Sequence, residues 1–260
     1  MPRPTQAFID LSALAHNLGV VRQYVPCSRI MAVVKADAYG HGLLHTASAL
    51  KDVDGFALLE LDAAISLRDA GYQQPILLLE GFFSTEELAL FEQYRLSAVI
   101  HHSEQIAMLS DSKHHNLDLF LKINTGMNRL GLAPEQFPQI MKALTDHPGI
   151  DSITLMTHFA SADDPLEEDE VFQQLQYFEA ITQNHKYPHS LANSAAIIRY
   201  PVTHADWVRP GIMLYGASPF ADKTASELNL KPVMTLSSKI IAIHDLKIGD
   251  RVGYHGLFQA

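Results

Sequence analysis

The chain has 260 residues, 47% of them hydrophobic and 18% charged, which is typical of a globular protein with one large domain or two medium ones. Its formal net charge of −10 argues against a nucleic-acid partner, because such proteins present a basic face to the phosphates. The single cysteine, Cys27, excludes an intrachain disulfide, and we recognise neither a signal peptide nor a membrane-spanning run, so we expect a cytoplasmic protein without a membrane partner.

Short apolar runs alternate with helical patterns along most of the chain. The runs are continuously apolar, as in parallel strands that are covered on both faces. They are IMAVV (30–34), GFALL (55–59), PILLL (75–79), LSAVI (96–100), LDLFLKI (117–123), ITLMTH (153–158), HSLA (189–192) and ADWVR (205–209). About eight strand-then-helix units of this size predict a (β/α)8 barrel. An open doubly wound sheet is the alternative, but no G-x-G-x-x-G fingerprint follows any run.

Several segments between these runs carry helix signals. LDAAISLRDAGY (61–72) has apolar residues at helical spacing and ends at Gly71. Ser84 and Glu87 have the spacing of a capping box at the start of another helix. A third helix is expected between Pro134 and Gly149, and the acidic run at 167–170 predicts a solvated helix start that the helix dipole favours.

The pattern changes after residue 231. VMTLSSKIIAIHDLKIGDRVGYHG (233–256) predicts a strand, a turn at Gly249-Asp250 and a second strand, with no helix between them. We expect residues 1–231 to form the barrel and residues 232–260 to begin a C-terminal β-domain. A strand pair of this length is only marginally stable alone, so we expect the chain to be part of a longer protein.

Chemically active side chains follow several of the predicted strands, at the edge where parallel barrels carry their functional residues. They are Lys35, Tyr39, Lys122, Arg129, His158, Ser194, Arg209, Gly211 and Ile212. Each has an ordinary structural explanation by itself: a solvated strand end, a buried structural histidine, an N-cap or a turn glycine. Together they predict one barrel mouth that gathers cations, a histidine and an anion-binding serine-glycine pair.

Lys35 is the candidate for covalent chemistry. An amine that lies among other cations and is partly removed from water has a lowered pKa, and it then attacks carbonyl carbons. Ser194 at a helix start supplies a hydroxyl and nearby N–H groups that can face an anion. A reactive lysine beside an anion cradle suggests an aldehyde cofactor with a phosphate, such as pyridoxal 5'-phosphate, whose pyridine nitrogen an arginine can contact.

Five motifs in chain order resemble the alanine racemase family of fold-type III pyridoxal-phosphate enzymes: AVVKADAYGHG, KINTGMNRLG, THFASAD, LANSAA and VRPGIMLYG. AFIDLSALAHNL near the start and LKIGDRVGYHG near the end are also similar to that family, so the resemblance covers essentially the whole chain. It implies the interconversion of L-alanine and D-alanine, a supply of D-alanine for peptidoglycan, and a homodimer.

The resemblance also implies roles for individual residues. Lys35 would hold the cofactor covalently and act as the base on one face of the substrate, and Tyr254 of a partner subunit would act on the other face. Arg209 would hydrogen-bond the pyridine nitrogen, with His158 beside the ring. Arg129 would contact the substrate carboxylate.

The phosphate would be bound by Tyr39, Ser194, Gly211 and Ile212. Lys122 matches a position that is carbamylated in many members, where the resulting anion orients the arginine. Asn124 departs from the aspartate that is common in the motif. Because family members continue beyond the end of this sequence, we expect this chain alone to bind the cofactor and to racemise poorly.

Three other functions remain open at this stage. A small pyridoxal-phosphate-binding homeostasis protein has the same barrel without racemase activity, although VRPGIMLYG and the start of a β-domain argue against it. A basic-amino-acid decarboxylase shares the fold type, but its additional C-terminal motifs are not recognised here. The third is a barrel that binds a phosphorylated ligand without covalent chemistry.

Overall fold

The structure is a computed structural model that describes residues 3–110 and 116–260. The chain divides into two units. The larger unit is Asp10–Val233, and the smaller one combines Met234–Ala260 with the described residues of Met1–Ile9. Among the described residues, none of the helices combines the length and the hydropathy that crossing a bilayer requires.

Eight parallel strands of the larger unit close into a barrel in the order β2 to β9, and β9 pairs back to β2. The strands of the chain are β1 (Gln6–Ile9), β2 (Arg29–Val33), β3 (Gly55–Leu58), β4 (Ile76–Leu78), β5 (Ser97–Ile100), β6 (Leu117–Lys122), β7 (Ile150–Met156), β8 (His189–Ser190), β9 (Trp207–Val208), β10 (Met234–Ser237), β11 (Arg251–Val252) and β12 (Phe258–Gln259). The predicted (β/α)8 barrel is therefore confirmed, and each of the apolar runs contributes one strand.

Helices surround this barrel. They are α1 (Leu11–Tyr24), α2 (Lys35–Gly40), α3 (Leu43–Ala49), α4 (Leu61–Asp69), α5 (Glu87–Gln93), α6 (Ser103–Ser110), α7 (Phe137–Thr145), α8 (Glu168–Thr182) and α9 (Ser194–Arg199). Helix α1 is capped by Asp10, whose carboxylate accepts hydrogen bonds from the backbone N–H groups of Ser12 and Ala13.

The predicted capping box at α5 is wrong. The helix begins at Glu87, and Ser84 lies in the turn before it. The Glu87 carboxylate accepts a hydrogen bond from the backbone N–H of Phe83 over 2.8 Å, not from the Ser84 backbone. The spacing of the box is present, but the chain enters this helix through a turn that moves the first helical residue two positions along, from Thr85 to Glu87.

The interior of the barrel explains where the functional side chains lie. Successive side chains of a strand alternate between its two faces, so residues two positions apart share a face. The buried interior cluster contains Met31, Val33, Ala57, Leu77, Val99, Phe120, Met156 and Trp207. Two positions after Val33, Phe120, Met156 and Trp207 come Lys35, Lys122, His158 and Arg209, at the C-terminal ends of the strands. One alternation therefore sets both the apolar core and the polar mouth.

The smaller unit contains two antiparallel pairs. Strand β1 pairs with β10, with Gln6 opposite Ser237 and Ile9 opposite Met234. Strand β11 pairs with β12. Gly249, in the predicted turn before β11, has a φ of +95°, a conformation that glycine adopts without steric cost.

Candidate active site

A cavity of about 630 Å³ opens at the C-terminal mouth of the barrel. Its volume lies within the range of small-molecule and cofactor sites. Nine predicted site residues line it: Lys35, Tyr39, Lys122, Arg129, His158, Ser194, Arg209, Gly211 and Ile212. The structure thus brings together side chains from five separate segments, and cations outnumber the acidic side chains at this mouth, where Glu80 and Asp163 are the two carboxylates in the lining.

Lys35 lies two residues after the end of β2 and begins a turn of unusual hand. The next four residues, Ala36 to Tyr39, have φ angles of 51° to 55°, so the backbone makes a left-handed helical turn. The sequence predicts a polar loop here, and no glycine occupies these four positions. For L-residues other than glycine this conformation costs roughly 1–2 kcal/mol each, so neighbouring contacts must hold it.

Those contacts come from both ends of the turn. The Asp37 carboxylate accepts a hydrogen bond of 2.7 Å from the backbone N–H of Leu43, which is the first residue of α3. The Tyr39 ring stacks on Tyr215, with ring centroids 4.6 Å apart, and His41 also contacts the Tyr215 ring. The Tyr215 hydroxyl donates to the carbonyl oxygen of Val33 in β2 over 3.0 Å. The turn after Lys35 is therefore fastened to the barrel strand that precedes it.

Ser194 and Gly211 meet at the opposite side of the mouth. The Ser194 hydroxyl oxygen accepts hydrogen bonds from the backbone N–H of Gly211 over 2.9 Å and from that of Met213 over 3.5 Å. Asn193 caps α9, because its side chain accepts from the backbone N–H of Ala196, so the alternative in which Ser194 is only an N-cap is wrong. The serine instead joins the start of α9 to the short helix after Gly211.

Gly211 is also fixed by close approach. A Cβ atom at this position would lie 2.6 Å from the Tyr39 hydroxyl oxygen. Only a residue without a side chain leaves that hydroxyl where it is. Ile212, the next residue, is 40% exposed and begins the short helix.

Arg209 is buried at the base of the cavity, where it is 4% exposed. Its Nη1 donates to the Ser190 hydroxyl over 2.6 Å. Its Nη2 donates to the carbonyl oxygen of Thr157 over 2.7 Å, to that of Leu191 over 3.2 Å and to His158 Nδ1 over 3.3 Å. Burial lowers the pKa of this guanidinium to about 10, so it stays protonated at neutral pH.

The pKa values of two neighbours reflect the same concentration of positive charge. Burial first, and then the charges of Arg209, Arg129 and Lys35, lower the pKa of the Lys122 ammonium to about 8. Lys122 is 7% exposed and has no acidic partner in the described part of the chain. Burial and the Arg209 charge hold the pKa of His158 well below its ordinary value, so this imidazole is neutral at pH 7.

Arg129 projects from a loop that Asn124 organises. The Asn124 side-chain oxygen accepts from the backbone N–H groups of Gly126 and Asn128, and its amide nitrogen donates to the Asn128 side-chain oxygen over 2.9 Å. An asparagine supplies both the acceptor and the donor for this arrangement. Arg129 itself is exposed and lines the cavity.

Tyr254 belongs to the smaller unit, where its side chain is 95% exposed. Two residues of the larger unit that sequence reasoning did not single out are Ser190, which receives the Arg209 hydrogen bond, and Tyr215, which supports Tyr39. Tyr215 lies within the VRPGIMLYG motif, so the motif itself was a signal. Nothing in the sequence near Ser190 distinguishes it from an ordinary strand residue.

The mouth can therefore bind an anion and hold a ring against buried hydrogen-bonding groups. Its cations attract negative charge, the serine-glycine pair presents polar groups at two helix starts, and an amine at the end of β2 faces the same space.

Comparison with known proteins identifies the family. The family model described as "Alanine racemase, N-terminal domain" matches residues 9–219. An alanine racemase of Nitrosospira multiformis is 58% identical over 100% of this chain and 73% of its own length, and one of Nitrosomonas europaea is 60% identical with the same coverage. The crystal structure of the biosynthetic alanine racemase from Pseudomonas aeruginosa superposes with a TM-score of 0.95 at 41% identity, over 100% of this chain and 73% of that one. The chain belongs to the alanine racemase family.

Proposed function

We propose that the chain interconverts L-alanine and D-alanine with pyridoxal 5'-phosphate as cofactor, and that this reaction supplies D-alanine for peptidoglycan. The observation that carries the proposal is the meeting of Lys35, Arg209 and the Ser194–Gly211 pair at one cavity. These are the groups that an aldehyde, a pyridine nitrogen and a phosphate would each need.

The phosphate fits the side of the mouth formed by Tyr39, Ser194, Gly211 and Ile212. Hydroxyl groups and helix-start N–H groups are suitable donors to phosphate oxygens. The absence of a side chain at Gly211 keeps the Tyr39 hydroxyl close to this backbone, which leaves a cradle that a Cβ atom would fill.

Arg209 would contact the pyridine ring. Both Nη atoms of this arginine are occupied by oxygen atoms or by His158, whereas Nε has no partner among the residues that the structure describes. Guanidinium is only a donor, so a ring nitrogen that it contacts must accept and stays unprotonated. When bound, pyridoxal phosphate supplies a conjugated system that stabilises negative charge on the substrate's α-carbon.

Racemisation requires that a proton leave one face of the α-carbon and that another arrive on the opposite face. We assign the first face to the Lys35 amine and the second to the Tyr254 hydroxyl of a partner subunit in a homodimer. Residues 232–260 would then be the beginning of the β-domain that carries this tyrosine, and residues 1–231 the barrel that receives it. Arg129 would bind the substrate carboxylate as a charge-assisted hydrogen-bond donor.

Lys122 is proposed to be carbamylated. A buried ammonium with no acidic partner is costly, and its pKa of about 8 leaves part of the amine neutral and nucleophilic near pH 7. Attack on carbon dioxide would form a carbamate and release a proton, and the new anion could pair with Arg129. Native mass spectrometry in bicarbonate buffer should show the added mass on Lys122, which disappears in the Lys122→Met variant.

The cofactor proposal is tested by titrating the purified chain with pyridoxal 5'-phosphate. We expect a yellow protein that borohydride bleaches, and peptide mass spectrometry should then find the reduced cofactor on Lys35. Lys35→Ala should stay colourless after dialysis, whereas Lys51→Ala, at an exposed lysine outside the cavity, should behave like the parent. Equal retention of reducible colour by Lys35→Ala would contradict the assignment.

The reaction itself is tested with the full chain loaded with cofactor. Incubation with L-alanine in deuterium oxide should produce D-alanine that carries deuterium at the α-carbon, but slowly, because we expect this chain alone to racemise poorly. For the physiological role, strong expression should rescue growth of a bacterial strain that requires D-alanine. Cofactor binding with no enantiomer exchange even on prolonged incubation would favour the homeostasis-protein alternative.

A further inference from the structure

A second cavity, of about 540 Å³, lies at the opposite end of the same barrel. The alternation along each strand explains its lining. In β6, the side chains of Asp118, Phe120 and Lys122 all face the barrel interior. Asp118, at the start of the strand, therefore lies at the N-terminal mouth, and Lys122, at its end, lies at the C-terminal mouth. In the segment that contains β2, Arg29 likewise lies at the N-terminal mouth and Lys35 at the C-terminal mouth. The barrel therefore carries inward-facing charged groups at both mouths.

The N-terminal cavity contains one cation that lacks an acidic partner. The Arg29 guanidinium carbon lies 4.2 Å from the centre of the Trp207 ring, a cation–π contact that orients the group over the barrel base. Its side-chain N–H groups make no ion pair or hydrogen bond within residues 3–110 and 116–260. They can therefore bind a carboxylate from solution in the two-pronged geometry that guanidinium favours.

An anionic group lines the same cavity. The Asp118 carboxylate accepts a hydrogen bond from the Ser152 hydroxyl and has no cationic partner among the described residues. The exposed Asp151 adds a second negative charge to the lining. The cavity thus offers separate positions for an anionic and a cationic group.

Two hydroxyl groups of largely buried residues open into the cavity. Ser97 is 3% exposed and Thr154 is 5% exposed, and both line this cavity. Neither side chain has a hydrogen-bond partner among the residues that the structure describes, and neither hydroxyl oxygen is among the buried unpaired atoms, so both face the cavity space. Their hydroxyls are available to a ligand in the cavity.

The base of the cavity is apolar and aromatic. Phe120 and Trp207 are each 5% exposed, and their ring centroids lie 6.5 Å apart with a tilt of 59°. Leu144 and Ile153 continue this surface. Rings and branched side chains of this kind bind an apolar group of the ligand by removing it from water.

We propose that the N-terminal mouth binds the zwitterion of an amino acid with a large apolar side chain. The carboxylate is held by Arg29 and the ammonium group by Asp118, with Ser97 and Thr154 as further hydrogen-bonding groups. The apolar side chain lies on the Phe120–Trp207 surface. This site is separate from the cavity that contains Lys35, and no bond is made or broken in it.

The test uses Trp207, because it is the single tryptophan of the sequence and lies in the cavity base. L-Phenylalanine is the probe, and excitation is set where only tryptophan absorbs. Titration of the full chain should give a saturable change in tryptophan emission. Phenethylamine lacks the carboxylate and 3-phenylpropanoate lacks the ammonium group, and each should bind at least roughly tenfold more weakly, since each loses one charged contact. Equal binding of all three compounds, or no saturable response to L-phenylalanine, overturns the proposal.

Variants assign the response to this mouth. Arg29→Gln and Asp118→Asn should each weaken the L-phenylalanine response roughly tenfold or more, whereas Lys51→Gln, at an exposed position outside the cavity lining, should not. Lys35→Ala should retain the response, and its loss there would place the ligand at the other mouth and refute the proposal. Circular dichroism checks that each variant is folded. If Arg29→Gln does not fold, Asp118→Asn and the three-compound comparison on the parent protein decide the question.

Discussion

Arg209 Nη2 donates a hydrogen bond to His158 Nδ1 over 3.3 Å at the base of the C-terminal cavity. A guanidinium group can only donate, so Nδ1 must accept, and the neutral imidazole carries its proton on Nε2. Burial and the nearby positive charge both act against protonation of the imidazole, which is why the pKa of His158 is held far below its ordinary value. The pair therefore stays as one cation and one neutral ring across the working pH range.

This relationship predicts how stability depends on pH. Below about pH 6.5 an unfolded-state histidine takes up a proton that folded His158 does not, so the free energy of unfolding falls as the pH falls, by up to about 1.4 kcal/mol per pH unit. In His158→Asn, whose side-chain oxygen can still accept from Arg209, this part of the slope should disappear. Urea unfolding at pH 5 and pH 7 measures it. The exposed-histidine variant His45→Asn should keep the parental slope, and an unchanged slope in His158→Asn would contradict the assignment.

Lys122 gives the second prediction. Because its pKa falls from 10.5 in the unfolded chain to about 8 in the fold, the unfolded state binds more protons between these values, and stability rises with pH there. In bicarbonate-free buffer, the parent should gain about 2–3 kcal/mol over Lys122→Met between pH 8 and pH 10. The control Lys51→Met, at an exposed lysine, should track the parent at every pH. A constant difference between the parent and Lys122→Met would show that this ammonium is not buried as described.

Gly211 gives the third prediction. Its replacement by alanine places a Cβ atom 2.6 Å from the Tyr39 hydroxyl, so Tyr39 must move. We expect Gly211→Ala to lower the free energy of unfolding by about 1–3 kcal/mol. The affinity for pyridoxal 5'-phosphate should fall at least roughly tenfold, as measured by absorbance titration. Adding Tyr39→Phe removes the clashing oxygen and should recover part of the stability.

The matched control is Gly19→Ala in helix α1. Nothing lies within 4 Å of a Cβ atom built at that position. Alanine is favoured over glycine in a helix interior, so this variant should gain about 0.5–1 kcal/mol and leave cofactor affinity unchanged. Equal effects at the two glycines would refute the close approach of Tyr39 to Gly211.

The left-handed turn after Lys35 gives the fourth prediction. Ala36 has a φ of 52°, where glycine costs less than alanine, so Ala36→Gly should raise the free energy of unfolding by about 0.5–1 kcal/mol. The same substitution at Ala180, an exposed position of α8, should lower it by a similar amount. The midpoints of urea unfolding should therefore move in opposite directions. Destabilisation by both changes would show that the turn is not left-handed in solution.

The apolar runs determined the barrel because a parallel strand covered on both faces must be apolar at almost every position. This signal is local and strong, so each predicted strand overlaps an observed one, including short β8 and β9. Helix entry was less predictable. Ser84 and Glu87 have capping-box spacing, yet the chain turns once more before α5, and that choice depends on how the preceding loop packs.

The left-handed backbone conformation after Lys35 could not be predicted from the local sequence pattern. Of the residues Ala-Asp-Ala-Tyr only the aspartate is enriched at positive φ, and the conformation is held by Leu43, Tyr215 and the strand beneath them. The local sequence also does not predict the pairing of Gln6 with Ser237, because these residues are near opposite ends of the chain. Contacts between distant residues outweigh local preference at both places.

The sequence by itself determined the barrel, the family and the nine residues that line one cavity. Apolar strand runs and motifs are patterns of residues that are close together in the chain, so they can be recognised without the structure. Only the tertiary structure decided which donor faces which acceptor: Arg209 toward Ser190 and His158, and Ser194 toward Gly211. It alone revealed the second mouth, whose lining includes both Arg29 and Asp118. Closing a sheet into a barrel brings together residues far apart in the chain, and hydrogen bonds act only over about 3 Å, so these partners follow from the closed geometry.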